Sequence, residues 1–275
     1  MNTYTILHYI SYLAFPLFFF VLASSKCKKT VRIISAILVL TFIFWHFIEP
    51  KMVTVKKVKI ETGFYSNFVV IGDIDIWYFR GKNYIQDLVK TINWLHADFV
   101  LFSWDIKAWE KKIDANLEDV LSPIKDMNTP SFYLRDSLNP ISETFLSLWV
   151  VDLSIVTPKV NDINIVWVYD GTKNASNLES FLRFWKSDKV ISVLKSPEFI
   201  FNLPVEISDL SFSSTSWKKF RVPFTNAYIF PSKWVFENWL YQTENGRILV
   251  TSWLWESNFP FRLFNPPEIV NIETF

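Results

Sequence analysis

The sequence holds little glycine, cysteine or histidine, and each shortage removes a class of chemistry. Its one cysteine, Cys27, excludes an intrachain disulfide and a cysteine-based zinc site. Of its three histidines, His8 and His46 fall in apolar N-terminal stretches, so the rest of the chain owns only His96 and a multi-histidine metal centre is excluded. Neither charge dominates: Lys+Arg 28 against Asp+Glu 27 leaves a net charge of +1. That balance lacks the basic surplus of a nucleic-acid binder, and no nucleic-acid partner is expected. Glycine is scarcest of all. Five residues in 275 is about 2%, against roughly 7% in an average protein, although turns, helix ends and close backbone approaches all call for it.

Tryptophan and long apolar runs are abundant. Thirteen tryptophans added to five glycines give 18 of 275, about 6.5%, near the ordinary level of glycine alone. From Tyr4 to Ala23 the chain reads YTILHYISYLAFPLFFFVLA, about twenty residues without a formal charge, enough for a bilayer core of ~30 Å. A second apolar run covers Ile33 to Ile48, short for a span but workable with snorkelling flanks. Between them lies SSKCKKTVR, with Lys26, Lys28, Lys29 and Arg32. The expectation is a transmembrane hairpin over residues 1–50, with spans at about 4–23 and 33–48, a basic loop at 24–32, and membrane lipids as partners. A secretory signal peptide fits poorly, because no positive charge precedes the first run; a buried helical hairpin is the other alternative. The basic loop belongs in the cytoplasm, which sends the C-terminal part outside the cell membrane. Lys51, Lys56, Lys57 and Lys59 pull the other way for the second span, so the first span decides.

Beyond about Val53 the pattern changes. Short β-branched and aromatic runs are expected as strands at Asn67–Ile74, Phe99–Ser103, Ser131–Leu134, Ile163–Tyr169, Lys189–Leu194, Glu206–Phe212, Arg247–Ser252 and Glu268–Ile272. Helices are expected at Tyr84–Leu95, where Ile85, Leu88, Val89 and Ile92 share a face, at Leu117–Met127 and at Ala175–Trp185. The alternation predicts one α/β layered domain over residues 51–275.

Several segments, in order, resemble the membrane-anchored branch of the calcineurin-like metallophosphoesterases. IEPKMVTVKKVKI resembles the strand that follows their membrane segment, and VVIGDIDIWYFRGKNYIQDLVKTIN their first motif, Asp-x-His followed by glycine. ADFVLFSWDI resembles the Gly-Asp motif, and TPSFYLRDSLNP the strand leading to Gly-Asn-His-Asp. VLKSPEF resembles the strand that ends in a ligand histidine, DLSFSSTSWKKFRVPF the Gly-His-x-His loop, and ILVTSWLWESNFPFRLFNPPEIVNIE the closing segment. The resemblance covers about residues 50–275. It implies a β-sandwich flanked by helices, preceded here by the two spans, with two metal ions held on strand-end loops to polarise a phosphate ester and generate a hydroxide.

The ligand set carries over poorly. Asp73 and Asp105 match the aspartates of the first two motifs, but Asp75 stands at the first-motif histidine. Ser137 and Leu138 replace the Asn and His of the third motif, Lys195 the next histidine, and Ser214 and Ser216 the last two. Leucine can neither ligate a metal nor assist a leaving oxygen, the role the resemblance assigns to that histidine. Lys195 opposes a cation by its charge. The resemblance therefore implies a degenerate dinuclear site and a pseudo-enzyme that binds a phosphate ester or a protein at the cell envelope without a metal cofactor. The alternative is a working phosphohydrolase or phosphodiesterase on a lipid or envelope phosphate ester, using a carboxylate-rich site of Asp73, Asp75, Asp105 and Asp136 with a divalent metal of the Mn, Mg, Fe or Zn type. Two blander roles stay open. The aspartates can cap backbone N–H groups at strand ends, and Lys195 can pair with them as a substitute charge.

Trp77, Trp104, Trp217, Trp239, Trp253 and Trp255 fall where members of that family have glycine, and Trp94 is expected just past a helix end, another glycine position. Some bacteria read UGA as glycine where other codes read tryptophan. Glycine codons written out as tryptophan would account for the scarcity of one residue and the surplus of the other; a drifted or designed sequence that uses tryptophan as filler is the alternative.

Overall fold

The computed structural model describes residues 17, 20, 29–72, 81–102, 117–134, 145, 147–168, 188–194, 196–205, 207–215, 236, 239–252 and 264–275. Over these the chain is a mixed α/β protein with two six-stranded sheets, and it divides into two compact units.

The described part of the smaller unit is residues 17, 20, 29–52 and 264–267. Helix α1 (Lys29–Ile43) runs into a π-helical turn, Phe44–Ile48, and a 3-10 turn, Glu49–Lys51. After Arg32 the helix carries no charged residue, and it has no polar face to offer water. Ile33, Ile34, Ile37, Leu38 and Leu40 are exposed, whereas Ser35 and Phe42 are buried. Trp45 meets Phe264 edge-on at 5.4 Å, and the buried Glu49 carboxylate accepts the Asn265 N–H at 2.6 Å. No helix among the described residues is long and apolar enough to cross a membrane. The fifteen residues of α1 give about 22 Å at ~1.5 Å per residue, against a core of ~30 Å. The first apolar run lies outside the described residues, Leu17 and Phe20 apart.

The larger unit holds both sheets. The first runs in the order β1 (Thr54–Ile60), β12 (Glu268–Thr274), β2 (Ser66–Ile71), β3 (Phe99–Phe102), β4 (Ser131–Tyr133) and β5 (Val151–Asp152). Strands β2 to β5 are mutually parallel; β12 is antiparallel to β2 and parallel to β1. The second runs β10 (Leu240–Thr243), β11 (Gly246–Ser252), β9 (Leu210–Thr215), β8 (Lys189–Leu194), β7 (Ile163–Val168) and β6 (Lys159–Val160). Its four central strands are parallel and its two edges antiparallel.

The side-chain period of two makes this a layered structure. Phe68, Val70, Phe99, Leu101 and Phe132 of the first sheet pack with Ile163, Ile165, Ile191, Val193 and Phe212 of the second in one core. Phe68 joins the sheets, stacked on Phe99 at 4.7 Å and edge-on to Phe212 at 5.4 Å. The alternate residues Val69, Ile71, Val100 and Phe102 pack with Ile85, Leu88, Val89 and Ile92 of helix α2 (Lys82–Trp94). Val166, Val190, Ile248 and Val250 of the second sheet cluster with Ile200 and Leu203, at the 3-10 helix Pro197–Asn202. Each sheet therefore packs apolar side chains on both faces, as parallel strands require. Lys56, Lys57 and Lys59 line the edge strand β1 and discourage pairing with another chain.

Four expectations change in detail. Leu117–Met127 is not one helix: α3 (Leu117–Leu121) is followed by a 3-10 helix, Ser122–Asp126, with Pro123 in its first turn unable to supply an α-helical N–H. The strand expected from Glu206 starts at Leu210, because the residues before it bond elsewhere. Asp209 accepts the Val190 N–H and Ser208 donates to the Leu210 carbonyl. Trp94 is still helical, exposed beneath the Lys57 ammonium at 5.9 Å, and the left-handed residue beyond the helix is His96, with φ of 48°. The hairpin joining β6 and β7 was not anticipated. Asn161 and Asp162 both have positive φ there, as a tight primed turn demands. The helix expected at Ala175–Trp185 lies outside the described residues.

Candidate functional site at the strand ends

The register of the parallel strands fixes where each motif position leaves the sheet. In the first sheet Ile71 of β2 is level with Phe102 of β3, and Phe102 with Tyr133 of β4. Asp73 follows Ile71 by two residues, Asp105 follows Phe102 by three, and Asp136 follows Tyr133 by three. Neighbouring strands are ~4.8 Å apart, so the three chains leave this carboxyl edge within about 10 Å of one another. Asp75 lies on the segment after Asp73, and Ser137 and Leu138 on the segment after Asp136. In the second sheet, Lys195 directly follows β8, and Ser216 directly follows β9. Ser214 is within β9, level with Thr251 of β11.

In sequence, the predicted positions thus follow the carboxyl ends of three adjacent parallel strands in one sheet, and fall within or follow two adjacent parallel strands in the other. Asp73, Asp75, Asp105, Asp136, Ser137, Leu138, Lys195 and Ser216 themselves lie outside the described residues, as does the side chain of Ser214. No group of three or more His, Cys, Asp or Glu side chains that could hold a metal ion occurs among the described residues.

Several of the described carboxylates serve the backbone. Asp98 accepts the Ser66 hydroxyl at 2.9 Å and the Asn67 N–H at 2.8 Å, at the opposite end of β2. Asn67 in turn donates its amide to the carbonyls of Leu95 and His96, closing the end of α2. Buried Asp152 accepts the Tyr133 hydroxyl at 3.2 Å and the Ser154 N–H at 2.8 Å. Burial pushes the Asp209 carboxyl above its ordinary value, a rise only partly offset by the Val190 N–H it accepts. Glu198 takes the Ser196 hydroxyl just beyond Lys195.

A buried hydroxyl network escaped the sequence reading. Ser192 Oγ lies 2.6 Å from Ser211 Oγ and 2.9 Å from Ser208 Oγ. Its trace in the sequence is the alternation of Ser211 and Ser213 with Leu210 and Phe212. It contains no ionisable group and ties β8 to β9 and the turn before it.

No protein-family model matches the chain, and a search of curated proteins finds no match either.

Proposed function

We propose that the chain is a membrane-anchored protein of calcineurin-like phosphoesterase architecture whose dinuclear metal site has been lost, and that it binds a phosphate ester or a protein partner at the cell envelope. One observation supports the reading: β2, β3 and β4 are adjacent and parallel and end level with one another, and Asp73, Asp105 and Asp136 follow them in sequence by two or three residues, at the edge where open α/β sheets bind ligands. The donor set does not fit two metal ions. Asp73 and Asp105 remain, but Leu138 and Lys195 stand where neutral imidazoles would ligate. Lys195 instead suits an anionic group directly. The exposed, uncharged stretch of α1 supports the anchor, with the C-terminal unit outside the cell.

A second reading has its own observation. The strands β2, β3 and β4, which Asp73, Asp75, Asp105 and Asp136 follow in sequence, are adjacent in the first sheet, which supports a carboxylate-only site and an active hydrolase. Turnover of a phosphodiester by the full chain in detergent with Mn²⁺ separates the two. It is assayed both as written and with glycine at the thirteen tryptophans. The proposal expects no turnover in either form. Turnover abolished by Asp105→Ala establishes the hydrolase.

A further inference from the structure

We infer that position 149 is a glycine position, and that the codon there is one its own cell reads as glycine. The inference stands on the backbone and is independent of any function at the strand ends. A helical turn ends at Leu148, whose N–H bonds the Phe145 carbonyl at 3.0 Å. The N–H of Val150 then reaches back to the same carbonyl at 3.1 Å. This six-to-one bond defines a Schellman ending, in which the residue before Val150 must be left-handed. Trp149 is that residue, with φ of 67°. The apolar contact that accompanies such an ending is in place, since Phe145 and Val150 are both buried in the same cluster. Among the described residues of the motif, only the side chain at its left-handed position is out of the ordinary.

Nothing about the indole explains its presence there. Trp149 is 86% exposed, so it forgoes the large burial that normally justifies a tryptophan. A branched or bulky side chain at positive φ is strained, whereas glycine meets no penalty. Among the described tryptophans, Trp45, Trp94, Trp149, Trp167 and Trp239, this is the one with positive φ. The scarcity of glycine and surplus of tryptophan in the composition are a separate observation pointing the same way. One cause covers both: UGA codons meant as glycine and written as tryptophan.

The test is the mass of the tryptic peptide Asp136–Lys159 from the source cells, in which Trp149 is the sole tryptophan. A peptide lighter by the difference between an indole side chain and a hydrogen, with UGA in the gene, is the expected result. A tryptophan-mass peptide, or UGG at codon 149, overturns the inference. The backbone half is tested separately in the full chain. Trp149→Gly is expected to raise the unfolding midpoint by roughly 2–4 °C, and Trp149→Ala, which keeps a Cβ at positive φ, by much less. An equal gain from both would show that shedding the indole, not the backbone, is what matters, and would overturn the assignment of a glycine position.

Discussion

The sandwich interior and helix α1 are built from the same kinds of residue and meet opposite surroundings. Phe68, Val69 and Ile191 are fully buried between or behind the sheets, whereas Ile37 and Leu40 of α1 remain 57% and 66% exposed. The contrast is one of pattern. In the strands, apolar residues of each face meet a packed layer. In α1 they point in every direction, and a helix apolar all round has no side suited to water. Burying one such side chain is worth about 1.5–3 kcal/mol, so an environment that covers the whole helix is strongly favoured over one that covers a stripe. A bilayer is that environment in the reading proposed here.

The contrast can be broken most forcefully in α1. Ile37→Lys with Leu38→Lys should cost about 5–7 kcal/mol of insertion, at ~2.5–3.5 kcal/mol per central lysine. With one span left, the C-terminal unit should change sides, which protease accessibility of a C-terminal tag would report. An unchanged side would remove α1 from the anchor. Within the sandwich, Phe68→Ala deletes the ring that joins the sheets and should cost about 3–5 kcal/mol, read from denaturant midpoints. Asp98→Ala leaves the Ser66 hydroxyl and the Asn67 N–H without their acceptor and should cost about 2 kcal/mol.

Smaller effects follow from charge. The raised Asp209 pKa means that the folded state favours the protonated form. Its contribution to stability is therefore greatest at low pH, and is lost as pH rises from the ordinary value of 3.8 through the raised one. Asp209→Asn keeps an acceptor for the Val190 N–H and should flatten that part of the stability–pH curve, as thermal unfolding across the acid range would show. Lys59→Ala should change stability by no more than about 0.5 kcal/mol, because the Lys59–Glu273 pair is exposed on both sides.

Much of the sandwich was legible because its strands are long enough to show a pattern. Lys189–Leu194 and the buried stripe Ile85, Leu88, Val89 and Ile92 emerge as the periodicity has them. Strands of two residues, β5 and β6, carry no period to read, and β6 is held by a turn that uses Asn161 and Asp162 instead of glycine. The start of β9 was misplaced because Ser208 and Asp209 bond locally, a competition that periodicity does not register. The helix end expected at Leu95 falls at Trp94, but the left-handed position expected at Trp94 falls two residues on, at His96, since nothing in the sequence announces a left-handed histidine. For the site, sequence order placed the motif positions at strand ends. It could not tell that β2, β3 and β4, which those aspartates follow in sequence, are adjacent in one sheet, because strands become neighbours only through pairing.

The proposed loss of the dinuclear centre is tested most directly by measuring how much Mn²⁺ the full chain binds. After equilibration with the ion and removal of the excess, the account predicts no stoichiometric metal. Two ions retained per chain, and released by Asp105→Ala, would contradict it.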